Sequence, residues 1–151
     1  MNKLSSFNVR AYAICTHENR ILSVHEKYDG VIYNKLPGGG IEFGEGLTDC
    51  LHREFKEELN LKIEIVEHLY TQEDYVKSLF DDGKQLLFVY YIAKILNIDE
   101  MEISSADIAG IEWIDLDGCN PLELPVDRIA FDKYKQKIQS AQLPKKQSLS
   151  C

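Results

Sequence analysis

The sequence has 151 residues, of which 44% are hydrophobic and 28% are charged, and its formal net charge at pH 7 is −8. A chain of this length and composition is typical of one globular domain that buries most of its apolar surface. The acidic balance argues against broad binding to nucleic-acid phosphates, which needs a basic surface. An anionic ligand would therefore have to be neutralised by a bound metal and a few placed cations.

The cysteines and the N-terminal segment indicate the cellular compartment. Cys15, Cys50, Cys119 and Cys151 form no CxxC pair and no short spacing. This distribution is typical of free thiols in a reducing compartment and gives no zinc signature. No basic-then-apolar leader opens the chain, and no apolar run approaches the roughly 18 residues of a membrane-spanning helix. We therefore expect a cytoplasmic protein without a membrane partner.

The first 35 residues predict strands and a loop. Residues 7–16 and 21–25 are rich in apolar and β-branched side chains and predict a hairpin or two neighbouring strands, joined by the polar turn 17–20. Residues 26–35 predict a polar loop that turns at Asp29-Gly30. Tyr28 lies on this loop, where an exposed aromatic ring can stack on a nucleobase. The alternative is that Tyr28 packs against the sheet.

A glycine turn leads into the first helix. Residues 38–40 are three glycines after Pro37, so the backbone can turn sharply there and approach a ligand closely. Residues 41–43 predict a short extended piece. Apolar residues then recur every four positions from Leu47 to Leu59, which predicts one buried face of an amphipathic helix over residues 46–59.

Three glutamates crowd one turn of this helix. Glu54 lies three positions before Glu57 and four before Glu58, and like charges at these spacings destabilise a helix by roughly 0.2–0.5 kcal/mol per pair. Arg53 and Lys56 relieve only part of that repulsion. A solvated acidic face would explain the glutamates alone. A hard divalent cation also explains the glycine turn and Arg53, since Mg²⁺ takes oxygen ligands from carboxylates and substrate phosphates.

The second half of the chain predicts further strands and a C-terminal helix. A half-buried strand over 61–71 and a central strand over 85–96 are expected to form a long hairpin around the charged loop 72–84, and a last strand is expected over 110–114. A second helix starts at Pro125 and continues through Ile138. Residues 141–151 predict a disordered tail, which leaves residues 1–140 as one domain.

Residues 39–61 resemble the Nudix box, G-x5-E-x7-R-E-U-x-E-E-x-G-U, in which U is a bulky apolar residue. Gly39 is followed by Glu45 and then by Arg53, which begins the run Arg-Glu-Phe-Lys-Glu-Glu-Leu-Asn-Leu that ends at Leu61. Asn60 stands where the family has glycine. Asn is a residue that tolerates the left-handed conformation at helix ends. The resemblance implies an α/β fold, a Nudix-like α/β/α sandwich with a mixed β-sheet.

The Nudix resemblance also implies a function. It implies an enzyme that hydrolyses a diphosphate linkage in a small nucleoside diphosphate derivative, with Mg²⁺ or Mn²⁺ as cofactor. Arg53 would orient a box glutamate, while Glu45 would be structural. Together with Tyr28, the implied site residues are the catalytic set Arg53, Glu54 and Glu57, the metal ligands Gly38, Glu54, Glu57 and Glu58, and the substrate contacts Gly39 and Gly40.

The general base and the assembly are left open by the sequence. Nudix proteins differ in whether the base is a box glutamate or a carboxylate of a downstream loop. Glu54 is preferred here, and for each downstream candidate a solvated loop charge is the alternative. Those candidates are Asp81, Asp82, Glu100, Glu102, Asp107 and Glu112. Homodimers are common among similar proteins, and the sequence is compatible with one.

Three other functional hypotheses compete with hydrolysis. A non-catalytic Nudix-like sensor would bind a nucleotide or nucleotide sugar without cleaving it. An isomerase of the same fold would act on isoprenoid diphosphates, although this chain is short for such an enzyme. A generic acidic α/β domain would show no effect of Mg²⁺ on its thermal stability.

Overall fold

The computed structural model describes residues 3–142, which form a mixed sheet with an α-helix on each face. Ile98–Glu100 form a short 3₁₀ helix. The strands are β1 (Ser6–His17), β2 (Arg20–Tyr28), β3 (Val31–Lys35), β4 (Gly38–Gly40), β5 (Ile63–Thr71), β6 (Val76–Lys77), β7 (Lys84–Ile95) and β8 (Ile108–Asp115), and the α-helices are α1 (Leu47–Leu59) and α2 (Pro125–Gln142).

Strand β1 lies at the centre of the sheet. It runs parallel to β7 along ten residue pairs that begin at Ser6–Lys84 and end at Cys15–Ala93. On its other side it pairs antiparallel with β4, and near its C-terminal end with β2. Strand β2 in turn pairs with β3 and β8, and β7 pairs antiparallel with β5. The predicted hairpins 7–25 and 61–96 and the mixed sheet are confirmed.

Alternate side chains of β1 belong to the two sides of the sheet. Ala11, Ala13 and Cys15 pack in the cluster that contains the buried residues of α1. Tyr12 and Ile14 pack in the cluster that contains the buried residues of α2. This follows from the two-residue period of a strand. The two helices therefore cover opposite faces, as the predicted α/β/α sandwich requires.

Helix α1 ends at the predicted place. Asn60 adopts the left-handed conformation with φ 55° and ψ 34°, and its backbone N–H donates to the carbonyl oxygen of Lys56. The Leu61 N–H donates to the carbonyl oxygen of Phe55. These two bonds satisfy helix carbonyls that would otherwise lack partners. Asn60 therefore serves the geometry for which the Nudix pattern uses glycine.

The prediction of a polar loop over residues 26–35 is wrong. Strand β2 continues to Tyr28, and residues 31–35 form β3, which pairs with it antiparallel. The predicted turn at Asp29-Gly30 is confirmed, with φ values of 50° and 80°. Such positive φ values suit a two-residue hairpin turn. The polar segment is therefore a hairpin, and β8 pairs with the other edge of β2.

Other element boundaries also differ from the prediction. Residues 41–43 belong to no strand, and the side chain of Phe43 is fully exposed in the turn before α1. Residues 76–77 of the predicted loop 72–84 form β6, which pairs with β7. Residues 141 and 142 are helical, and the remainder of the predicted tail, residues 143–151, lies outside the described residues. Within residues 3–142, no helix has the length and apolarity needed to span a membrane.

Candidate active site

The glycine strand β4 packs directly against the helix that carries the glutamates. A Cβ atom added to Gly39 would lie 2.5 Å from Cδ of Glu54, a separation that real Cβ atoms do not show. Gly38 has a φ of 147°, and a Cβ atom there would overlap the carbonyl oxygen of Ala11 on β1. Glycine is therefore required at Gly38, and Gly39 leaves room for the Glu54 carboxylate, because β4 is inserted between β1 and that carboxylate.

Arg53 joins the glycine strand, the turn before α1 and the glutamates. Its Nε and Nη2 atoms donate to the two carboxylate oxygens of Glu45 at 3.0 and 2.6 Å. Nη2 also donates to the carbonyl oxygen of Gly40 at 3.0 Å. Nη1 donates to Glu54 at 2.9 Å and to Glu57 at 3.3 Å. A planar guanidinium in this position restrains the orientation of both helix carboxylates.

Glu54, Glu57 and Glu58 line a polar pocket together with Gly38–Gly40. The other lining residues are Arg10, Glu26, Ser104, Ser105 and Asp107. Burial, followed by the nearby carboxylates of Glu26 and Glu54, raises the pKa of Glu58 well above its ordinary value. Five carboxylates and one cation, Arg10, line the pocket, so acidic groups outnumber basic ones there. We call it the carboxylate pocket.

The donors of the carboxylate pocket suit a hard divalent cation. Carboxylate and backbone carbonyl oxygens are the ligands that Mg²⁺ and Mn²⁺ prefer. Within residues 3–142, no three His, Cys, Asp or Glu side chains are arranged as a ready metal cage, and Arg53 holds Glu54 and Glu57. Mg²⁺ commonly binds through one or two carboxylates together with substrate phosphates, so the donor set fits this ion without a closed cage.

A buried ion pair lies beside the carboxylate pocket and was not predicted. Lys35 Nζ is 2.7 Å from Glu26 Oε2, and their side chains are only 2% and 9% exposed. The two residues are diagonal neighbours in the β2–β3 hairpin, where Glu26 pairs with Tyr33 and Lys35 with Val24. Diagonal neighbours on one face are within reach of long side chains. The Asp29-Gly30 turn would have revealed this pair had the flanking segments been assigned to strands.

An aromatic cavity adjoins the carboxylate pocket, and Arg10 lines both. Tyr28, which the sequence proposed as a substrate contact, lies in this cavity with its ring 5.7 Å from the ring of Phe80 and 6.2 Å from that of Tyr33. Most of the lining surface is apolar. It comes from Tyr12, Tyr28, Tyr33, Val76, Leu79, Phe80, Leu86, Phe88, Leu124, Pro125 and Val126.

The segment 102–107 is attached to the C-terminal end of α1. The Ser104 hydroxyl donates to the carbonyl oxygen of Glu57 at 2.6 Å, and its backbone N–H donates to that of Glu58 at 2.9 Å. The Glu102 N–H donates to the carbonyl oxygen of Leu59 at 3.0 Å. These bonds occupy carbonyls that have no partner within the helix. They also place Asp107 at the carboxylate pocket.

The six downstream candidates for the general base are separated by the fold. Asp107 lines the carboxylate pocket, while Asp82 lines the aromatic cavity. Glu112 accepts a hydrogen bond from Asn34 Nδ2 at 3.0 Å and lines neither. Asp81, Glu100 and Glu102 also lie outside both linings. Asp107 is thus the downstream candidate that shares a pocket with Glu54.

Comparison with known proteins supports the resemblance of the box. The family model described as NUDIX domain matches residues 6–134. Nucleoside triphosphatase NudI from Enterobacter sp. (strain 638) is 30% identical over 93 residues, which cover 59% of this chain and 66% of that protein. The chain thus matches slightly less than two thirds of the length of this relative.

Solved structures share the fold at low sequence identity. A MutT NUDIX hydrolase from Burkholderia pseudomallei matches with a TM-score of 0.72 and 21% identity, over 85% of this chain and 98% of that one. A NUDIX hydrolase from Nitrosomonas europaea matches with a TM-score of 0.74 and 19% identity, over 91% and 75%. An ADP-ribose pyrophosphatase from Streptococcus suis matches with a TM-score of 0.65 and 20% identity, over 90% and 92%. Because the family model covers most of the sequence, the chain belongs to the NUDIX domain family.

Proposed function

We propose that the protein hydrolyses a diphosphate linkage in a small nucleoside diphosphate derivative, with Mg²⁺ or Mn²⁺ as cofactor. The observation that carries this proposal is the placement of Glu54, Glu57 and Glu58 beside the glycine strand, in a pocket that Arg10 connects to an aromatic cavity. A diphosphate ester of a nucleoside needs these two environments side by side. One must hold cations and phosphates, and the other must hold a base.

The chain's own residues divide the work at the carboxylate pocket. A bound divalent cation supplies neutralisation of the diphosphate oxygens and activation of water. Glu57, Glu58 and the carbonyl of Gly38 would hold it, with Glu54 as a further ligand or as the general base. Arg53 orients Glu54 and Glu57 through its Nη1 atom.

Substrate contacts are proposed on both sides of Arg10. Gly39 and Gly40 allow the phosphates to approach the backbone of β4, since no side chain projects there. The guanidinium of Arg10 is available to the phosphates because it lines both pockets. Tyr28 would contact the base in the aromatic cavity, whose apolar walls suit a planar ring.

The activities after which related proteins are named agree with this class of substrate. NudI is a nucleoside triphosphatase, and structural neighbours include an ADP-ribose pyrophosphatase and a UDP-X diphosphatase. Each acts on a phosphoanhydride of a nucleotide. We propose the same linkage for this chain, with Glu54 as the general base and Asp107 as the second candidate.

A hydrolysis screen tests the proposal. Nucleoside triphosphates, ADP-ribose, sugar nucleotides, dinucleoside polyphosphates, NADH and coenzyme A are incubated with the protein and Mg²⁺ or Mn²⁺. Glu57→Gln is the blank, and Glu73→Gln, an exposed glutamate outside the site, is the matched control. Cleavage by the wild type and the control, but not by the blank, supports the proposal. Tight binding of a nucleotide without any cleavage would favour the sensor hypothesis instead.

A further inference from the structure

Two cations and two tyrosines form a closed cluster at the floor of the aromatic cavity. Lys35 Nζ donates to the hydroxyl oxygen of Tyr12 at 3.4 Å and to that of Tyr28 at 3.2 Å. Arg10 Nη2 donates to the Tyr28 hydroxyl at 3.3 Å, and Arg10 Nε donates to the Tyr12 hydroxyl. Each tyrosine oxygen therefore accepts a hydrogen bond from both cations.

This arrangement leaves the tyrosine hydroxyls as donors. A hydroxyl oxygen has two lone pairs and one proton, and here both lone pairs face cations. Burial raises the pKa of Tyr28 to about 12, so that its hydroxyl keeps its proton at neutral pH. Tyr12 is buried, whereas Tyr28 is partly exposed and lines the cavity, so a ligand there meets an O–H group that has a proton to give.

Two acceptor side chains that line the cavity are hydrogen-bonded within the segment 78–84. The carboxylate of Asp82 accepts from Ser78 Oγ at 3.1 Å and from the Lys84 N–H at 3.0 Å. Ser78 Oγ itself accepts from the Phe80 N–H at 3.2 Å. Asn8 carries both a donor and an acceptor and can present either one. At the floor of the cavity, the polar groups of the cluster belong to Tyr12, Tyr28, Arg10 and Lys35, so donors dominate there.

We propose that the aromatic cavity selects a nucleobase that presents carbonyl oxygens, such as uracil, thymine or hypoxanthine, over one that presents an amino group, such as cytosine or adenine. This specificity rests on the proposed function, and it names the kind of base that the substrate carries. The apolar walls take the ring of the base, while the Tyr28 hydroxyl donates to its carbonyl edge. An amino group would place a donor against this hydroxyl and leave both groups unpaired.

Matched nucleoside monophosphates test the selection without any hydrolysis. UMP and CMP differ at the C4 substituent and the adjacent ring nitrogen, and IMP and AMP differ in the equivalent way. Dissociation constants are measured by calorimetry or by chemical-shift titration. We expect UMP and IMP to bind about tenfold tighter than CMP and AMP, because each mismatch leaves polar groups unpaired.

Two tyrosine variants then assign the selection. Tyr28→Phe removes one donor and is expected to reduce the UMP/CMP ratio to about threefold or less. Tyr33→Phe is the matched control, since among residues 3–142 its hydroxyl lies within hydrogen-bond distance of neither cation while its ring lines the same cavity. This variant should keep the wild-type ratio. Thermal melting identifies any variant that fails to fold. In that case the UMP/CMP and IMP/AMP affinity ratios of the wild type test the selection by themselves.

Equal binding of the four monophosphates, or a preference for CMP and AMP, would overturn this selection. An unchanged ratio in folded Tyr28→Phe would overturn the role of the hydroxyl. The two proposals fail separately. Hydrolysis without base preference removes only the selection, whereas base preference with no cleavage of any diphosphate removes only the enzymatic function.

Discussion

Arg53 and Glu45 form a two-point ion pair that joins α1 to the turn preceding it. The bonds measure 3.0 Å from Nε and 2.6 Å from Nη2, and the side chains are 21% and 14% exposed. The Glu42 N–H donates to the same carboxylate at 2.8 Å. This pairing holds the guanidinium so that its third nitrogen, Nη1, faces Glu54 and Glu57.

The Arg53–Glu45 pair predicts a defined pH dependence of stability. The hydrogen bonds from Arg53 lower the pKa of Glu45 to about 2, from an ordinary value of 4.5. A lowered carboxyl pKa stabilises the fold above the unfolded pKa, and this contribution is lost as the pH falls through the folded one. Glu45→Gln should therefore be less stable than wild type at neutral pH, with a difference that shrinks between about pH 4.5 and 2.

Denaturant titrations of both proteins at several pH values measure that difference. Glu64→Gln, an exposed glutamate on β5, is the control and should match wild type throughout. If the free energies of unfolding of wild type and Glu45→Gln differed by the same amount at pH 7 and at pH 2.5, the lowered pKa of Glu45 would be contradicted.

Gly39→Ala should impair catalysis with little loss of stability. The new methyl group would meet the end of the Glu54 side chain at 2.5 Å, and that flexible carboxylate can move aside. Its displacement from Arg53 should lower turnover by about 10²-fold, since an active-site shift of about 1 Å can have this effect. Gly110→Ala, where the added Cβ has open space, is the control. Wild-type turnover in Gly39→Ala would show that the position of Glu54 is not critical.

Glu57→Gln should weaken metal binding and turnover together. Loss of one carboxylate charge should lower activity by about two orders of magnitude and reduce the rise in melting temperature that Mg²⁺ produces in wild type. EDTA should abolish wild-type activity, and excess Mg²⁺ should restore it. Calorimetry with Mg²⁺ alone gives a readout independent of turnover. Activity that persists in chelator would count against metal-assisted hydrolysis.

Asp127→Ala should destabilise the fold. Asp127 is fully buried at the first turn of α2, where it accepts from the Leu36 N–H at 2.9 Å and from the Tyr90 hydroxyl. Removing this acceptor leaves two buried donors unpaired, which should lower the free energy of unfolding by about 2–4 kcal/mol. Asp132→Ala, exposed on the same helix, should change it by about 0.5 kcal/mol or less. Denaturant titrations measure both changes, and equal free energies of unfolding for the two variants would refute the role of Asp127.

The sequence alone determined α1 and the carboxylates on it. Helix geometry makes residues three and four positions apart neighbours, so the spacing of Glu54, Glu57 and Glu58 already implied one crowded turn. The apolar residues from Leu47 to Leu59 showed which face is buried, because a helical period is a local property. The box residues added the family resemblance, and the family model confirms it.

The β2–β3 hairpin was missed for a physical reason. Glu26 and Lys35 are charged, so in the sequence they interrupt the alternation that identifies a half-buried strand. In the fold they neutralise each other at 2.7 Å and are buried together. A buried ion pair therefore made two strands resemble a polar loop.

The surroundings of α1 depend on contacts between distant parts of the chain. Arg10, Glu26, Lys35 and Asp107 come from separate strands and a loop, and their meeting depends on which strands pair and in what register. Strand pairing joins residues that are distant along the chain, and no local period encodes it. The carboxylates of α1 were therefore predictable from sequence, whereas the charged cluster and aromatic cavity that face them were not.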